Sequence, residues 1–323
     1  MKKVLLTTTA LVMTAGVAAA EVSFSGTAGI ALIDDNGRSQ AKAALIAGGN
    51  AAPTAAQIAT QQGLAATTRT GMFAESYYDL DVSVSAAADN GMTFALGFDM
   101  GSGNKIDYND DDKVENQGEA IGNADVSMTY QGWTVTVDQA GIDNLFDDTD
   151  GAQDMKVAGS VAGFDVAFTS DLEADTSSYS LGTTVADIAL TFTGTDNDDA
   201  GGSAAGVSAS YTVSDTLSLK GSMSNESDDA EDDASIGLTY KMDALTLGYT
   251  SIKPGTNGDL GDEWDLSIAY SAGAMSASFA VDEADATTMI AEWDLGGATA
   301  FAAVHDKAGT ADDLTTMGIN FSF

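Results

Sequence analysis

From Glu21 to Phe323, apolar and small polar residues alternate in segment after segment, and a period of two leaves a chain few ways to fold. In Ala124–Gln131, Val126, Met128 and Tyr130 share one face while Ser127, Thr129 and Gln131 share the other. Leu217, Leu219 and Met223 oppose Ser218, Lys220 and Ser222; Ile236, Leu238, Tyr240 and Met242 oppose Gly237, Thr239 and Lys241. Successive side chains of a strand point to opposite faces, so each segment reads as a strand with one apolar and one polar face. No stretch sustains a helical period with caps, except the Ala/Gln-rich Gln40–Ala66. Both prolines, Pro53 and Pro254, fall outside the alternating segments, as paired strands require. The chain is all-β.

Two kinds of connection alternate. Short turns are expected at Asp89–Gly91, Gln131–Gly132, Ala162–Gly163, Ala186–Asp187, Ser214–Asp215, Asp243–Ala244, Ala272–Gly273 and Leu295–Gly297, each closing a hairpin. Between hairpins lie longer acidic segments: Gly101–Glu119, Asp143–Asp154, Asp171–Asp175, Asp196–Gly202, Asn225–Asp233, Pro254–Glu263 and Asp306–Asp313. Eight hairpins and one strand at each end predict 18 strands, an even number that lets first and last meet.

The same alternation fits a soluble sandwich with its apolar side inward or a membrane barrel with its apolar side outward. The polar rows are built of Ser, Thr, Gly and Ala, with few long charged side chains for a solvated outer face. Aromatic residues recur beside the short turns (Tyr130, Trp133, Phe164, Tyr211, Tyr240, Tyr270, Trp293), where a bilayer interface selects them. Short turns at one end and long loops at the other repeat the asymmetry of outer-membrane barrels, and a sheet in hydrocarbon must close to leave no edge unpaired. The favoured fold is a closed antiparallel transmembrane β-barrel; the alternative is a secreted acidic all-β adhesin or surface-layer protein.

The N-terminus agrees. Lys2 and Lys3, the apolar Val4–Val17 and the small residues Ala18–Ala20 make a secretory signal peptide over residues 1–20, cut before Glu21, with residues 21–323 as one barrel domain. With 49 acidic against 12 basic residues and a net charge of −37, the chain lacks the basic surface that nucleic acid demands. It has no Cys, which excludes thiol catalysis, disulfides and thiolate metal sites. Its one His, His305, is expected at an interface or in a loop, and no nucleophile–base pair is legible, so the chain reads as a non-enzyme without cofactor.

The leader followed by EVSFSG, the segment YQGWTVTVDQAG (Tyr130–Gly141) and the ending GINFSF resemble the general porins of alphaproteobacteria, the purple-bacterial type. That resemblance implies a homotrimeric outer-membrane channel with a third loop folded into the pore, and 16 strands rather than 18. It also implies that Met317, Ile319, Phe321 and Phe323 form the signal read by the barrel-assembly machinery. Gln40–Gly71 is a longer first loop than the resemblance implies.

Function in such a channel is set by the width and charge of its narrowest part. By the resemblance, Asp138, Asp143, Asp147, Asp148, Asp150 and Asp154 line the constriction, with Leu145 and Phe146 anchoring the loop to the wall. Face parity directs Arg69, Asp79, Asp81, Asp99, Lys156, Lys220 and Lys241 into the lumen. Tyr77 shares that parity, a single ring where a substrate-selective channel would show an aromatic ladder. Relatives set an acidic loop against a basic cluster, but this chain has only Arg38 and Arg69, so a cation-preferring channel for ions and small hydrophilic solutes is expected. Asp runs, Asp110, Asp111 and Asp112 and then Asp196, Asp198 and Asp199, supply hard oxygen ligands that suit structural Ca²⁺ bridging loops or lipopolysaccharide.

Overall fold

The computed structural model describes residues 20–34, 57, 72–109, 113–116, 124–146, 153–174, 176–197, 202–225, 233–253, 261–306 and 313–323. The leader, Arg38, Arg69 and nearly all of Gln40–Gly71, with its helical expectation, lie outside them.

Among the described residues nineteen strands form: β1 (Glu21–Asp34), β2 (Phe73–Ala87), β3 (Thr93–Asp107), β4 (Lys113–Asn116), β5 (Asp125–Tyr130), β6 (Trp133–Ile142), β7 (Gln153–Val161), β8 (Phe164–Asp171), β9 (Thr176–Val185) and β10 (Ile188–Asn197). There follow β11 (Gly202–Ser214), β12 (Leu217–Asn225), β13 (Asp233–Met242), β14 (Leu245–Lys253), β15 (Glu263–Ala272), β16 (Met275–Asp282), β17 (Thr287–Asp294), β18 (Ala298–Asp306) and β19 (Leu314–Ser322). Each strand of the ring pairs antiparallel with the next, β3 with β5, while β4 pairs with β3 alone and stands off the ring. β1 then pairs with β19, from Thr27 opposite Ser322 to Asp34 opposite Thr315, closing a barrel of 18 strands. The count read from the hairpins holds; the 16 implied by resemblance does not. The last residue completes the seam, because Gly26 and Phe323 exchange backbone hydrogen bonds of 3.0 and 3.1 Å.

All eight short turns form, two of them one residue beyond the expected Ser214–Asp215 and Ala272–Gly273, at 215–216 and 273–274. Two-residue hairpins need a left-handed backbone to match the twist of their strands. Gln131–Gly132, Ala162–Gly163 and Ala186–Asp187 adopt it at both positions, the last pair (φ 50 and 67°) without a glycine.

The register assigns every strand's faces. Tyr130, Trp133, Phe164, Tyr211, Tyr240, Tyr270 and Trp293, all beside short turns, lie exposed on the outward rows. With them stand Ile30, Leu32, Val207, Leu219, Ile236, Leu238, Leu266, Ile268 and Met317, so the apolar face looks away from the barrel. Water could cover such a belt only at a cost of roughly 25 cal/mol for each Å² of apolar surface, whereas lipid covers it freely. No described helix is long and apolar enough to cross a membrane; the strands cross it. Two groups of buried side chains lie inside, where loops cover the wall: Ile33, Tyr108, Phe301, Ala303 and Leu314 form one cluster, and Thr169 and Ser178 are buried on another wall.

Candidate functional site

The inward rows carry Ser, Thr and Gly with a few charges. Asp81 faces Asp99 across β2 and β3, and Ser25 donates to Asp81 at 3.4 Å. Asp125 on β5 lies over Gly97 of β3, where a Cβ would meet its carboxylate. Asp138 continues the inward row of β6, and its carboxylate bends over Gly141. With Asp79 these residues make one acidic face over β2, β3, β5 and β6. On the far side of the ring, Lys220 of β12 and Lys241 of β13 share the inward rows with Ser222 and Thr239. Lys156 of β7 faces inward between Thr136 and Thr169.

The described start of the third long loop, residues 143–146 after β6, turns onto the inner wall. Asn144 is buried and donates through Nδ2 to Thr195 at 3.1 Å, while the Leu145 amide donates to Ser178 Oγ at 2.8 Å. Asn144 Oδ1 also accepts the Phe146 amide at 2.8 Å, fixing a tight turn that holds the Phe146 ring near Gly206, where a Cβ would stand 3.4 Å from it. The loop is therefore fastened to β9, β10 and β11. Ser178 and Thr169 share a 2.5 Å hydrogen bond beneath it, so these two buried hydroxyls are paired. Of the acids expected at the constriction, Asp143 is exposed at the loop's base and Asp154 accepts the Leu172 amide at 3.1 Å. Asp147, Asp148 and Asp150 lie outside the described residues.

The second long loop differs from expectation. The pattern predicts a long acidic connection over Gly101–Glu119, yet β3 runs on to Asp107 and pairs with β4. Gly103 marks the departure from the wall: its φ is +92°, and a Cβ there would collide with the Ser76 carbonyl oxygen. Beyond it, Asn104 donates to Glu75 at 3.0 Å. Tyr108 is buried and stacks on Phe301, with ring centroids 4.1 Å apart and planes 8° from parallel. Its hydroxyl donates to Glu292 Oε1 at 3.0 Å, and Ser276 donates to Oε2 at 2.9 Å. Burial first, and the Glu292 carboxylate second, push the Tyr108 phenol above its ordinary range, so it stays protonated and able to donate. Burying such a ring contributes about 1.5–3 kcal/mol and stacking about 1 more. Phe301 can lie flat because its neighbour in register is Gly318, where a Cβ would stand 2.7 Å from the ring.

His305 also departs from its expected place at an interface or in a loop. It is buried on the inward row of β18, with Nδ1 3.1 Å from Thr288 Oγ1. Tyr77 faces inward as expected and lies over Gly29. At the C-terminus, Met317, Phe321 and Phe323 are exposed on the outer side, and Ile319 shares their row. Of the acids expected to bind Ca²⁺, Asp196 accepts Ser203 Oγ at 3.1 Å; Asp110, Asp111, Asp112, Asp198 and Asp199 lie outside the described residues. Glu75, Asp125 and Glu292 join the lumen unannounced, although each shares the parity of a polar row (Asp79, Ser127 and Thr288) that could have revealed it. Tyr108 and Asn104 had no such signal.

No family model matches the chain, and no curated protein matches it in sequence. Among solved structures it is similar to a mutant of Rh. blastica porin, with a TM-score of 0.54 and 17% identity over 94% of this chain and 100% of that one. A triple mutant of Rhodopseudomonas blastica porin matches with a TM-score of 0.53, 17% identity and the same coverage. The chain thus has the porin fold, a transmembrane antiparallel barrel with its third loop turned inward, at an identity that speaks for architecture alone.

Proposed function

We propose that the protein is a water-filled outer-membrane channel for passive diffusion of ions and small hydrophilic solutes, preferring cations. One observation carries the reading: a closed ring of 18 strands turns its apolar rows outward and its hydroxyl and glycine rows inward. A ring of that size is too wide for wall side chains to fill. The preference follows from charge. Glu75, Asp79, Asp81, Asp99, Asp125, Asp138, Asp265 and Asp282 stand on inward rows against Lys156, Lys220 and Lys241, and acidic walls concentrate cations. The narrowest section lies at the third loop, with Asp143, Asp147, Asp148, Asp150 and Asp154 on it and Asp138 at its root.

The same reading has residues 1–20 direct export, the C-terminal Phe row engage the assembly machinery, and the barrel sit as a homotrimer among lipid and lipopolysaccharide. Structural Ca²⁺ at the Asp-rich loops belongs to it, and a chelator would then lower the temperature at which the barrel unfolds. It assigns no catalysis. The test is a planar bilayer under a KCl gradient with sugars of graded size: stepwise conductance with a cation-selective reversal potential supports the reading. An anion-selective potential refutes the charge filter, and absence of steps refutes the channel. The 18-strand ring also favours a substrate-selective channel, in which current would saturate with one solute class rather than fall smoothly with solute size.

A further inference from the structure

We infer that the described start of the second loop is a second constriction element, strapped across the inner wall by Asn104 and Tyr108, and that with the third loop it narrows the lumen to the gap between the acidic wall of β3, β5 and β6 and the wall of β12–β15. The inference deepens the channel reading and rests on it. The strap follows one row of the wall: Glu75, Ala31, Gly318, Phe301 and Glu292 are successive partners in register on β2, β1, β19, β18 and β17. Five strands at roughly 4.8 Å spacing make about 19 Å of wall. Asn104 is bonded at its first residue and Tyr108 at its last, with the Tyr108 ring on Phe301 between. A loop merely collapsed against the wall would not meet both ends of a single row. The wall is shaped for it as well, through Gly103 at the pivot and Gly318 beneath the stack.

The third loop leaves the ring two strands further on and runs the other way, to β9–β11. In a ring of 18, β10 and β19 are diametrically opposed, so the two straps cover opposite walls. Among the described residues, two walls are left between the straps: the acidic one on β3, β5 and β6, and the one from β11 to β15, which holds a recess of about 490 Å³. Its floor is the row Lys220, Gly237, Thr250 and Asp265, again successive partners in register. That row is polar, carries both signs of charge and has a glycine at its centre, which suits hydrated ions and hydroxyl-bearing solutes and offers apolar solutes nothing.

The test compares single-channel conductance and sugar cut-off for the intact protein, Tyr108→Ala and Tyr108→Phe. Loss of the ring should free the strap and raise conductance by about 1.5-fold or more, with larger sugars admitted. Tyr108→Phe keeps the stack and should stay near the parent value. Because Tyr108→Ala could fail to fold, Gly237→Cys provides an independent arm. A Cβ at Gly237 has ordinary room, its nearest neighbours 3.8 Å away, and the chain has no other Cys. A bulky water-soluble thiol reagent should then block most of the current. Folded Tyr108→Ala with unchanged conductance and cut-off, or labelled Gly237→Cys with unimpeded current, overturns the inference. A parent protein that gives no steps at all overturns the channel reading itself, and this inference with it.

Discussion

Asp187 and Gly103 show how left-handed backbone is handled at two positions, one without glycine and one with it. The Ala186–Asp187 hairpin holds two side-chain-bearing residues at φ 50 and 67°. The left-handed conformation costs an L-residue roughly 1–2 kcal/mol, part of which Gly returns as unfolded-state entropy. Asp187→Gly should therefore stabilise the barrel by roughly 0.5–1 kcal/mol, seen as a higher temperature for conversion of the heat-modifiable band. An unchanged or lower temperature would contradict the strain. Gly103 is the reverse case. Ala there would meet both the left-handed penalty and the Ser76 carbonyl, so Gly103→Ala should cost about 2 kcal/mol or more in the same measurement. At this scale the inward acids were partly legible. Asp79, Asp81 and Asp99 announced themselves by parity, and Glu75 and Asp125 could have, since parity is local. Tyr108 could not, because its partners Phe301 and Glu292 lie about two hundred residues away in sequence and nothing local marks them.

Hairpins and loops differ in how much of their form is encoded locally. A two-residue turn between alternating segments leaves little choice of register, which is why all eight turns and the 18-strand count could be read directly. The loops are set by what they touch. Gly101–Glu119 carries Asp110–Asp112, Glu115 and Glu119, a composition that reads as solvated, yet its first part is strand and its Tyr108 is buried. The resemblance indicated the inward third loop, and Leu145 and Phe146 were expected to hold it. The structure adds Asn144, whose side chain both donates to Thr195 and accepts the Phe146 amide. Replacing Phe146 by Ala removes the ring beside Gly206 but leaves those bonds, so conductance should rise modestly. Asn144→Ala leaves Thr195 and the turn without that partner and should raise it further. Equal conductance in both variants and the parent would place this loop outside the conducting path.

Across the whole molecule, the inside of the barrel is unequal around its circumference. Acids cluster inward on β2, β3, β5 and β6, two lysines face them from β12 and β13, and two straps press on the walls between. Closure by β1 and β19 makes this asymmetry possible, because a fixed ring gives each loop a defined opposite wall. Everything depends on which face of the sheet meets water. Single cysteines along β13, in a chain with none of its own, test that directly. In outer membranes, a membrane-impermeant thiol reagent should label Ser235→Cys, Gly237→Cys and Thr239→Cys, while Ile236→Cys and Leu238→Cys should react only with a lipid-soluble probe. Uniform labelling along the strand, or the opposite alternation, would contradict the account.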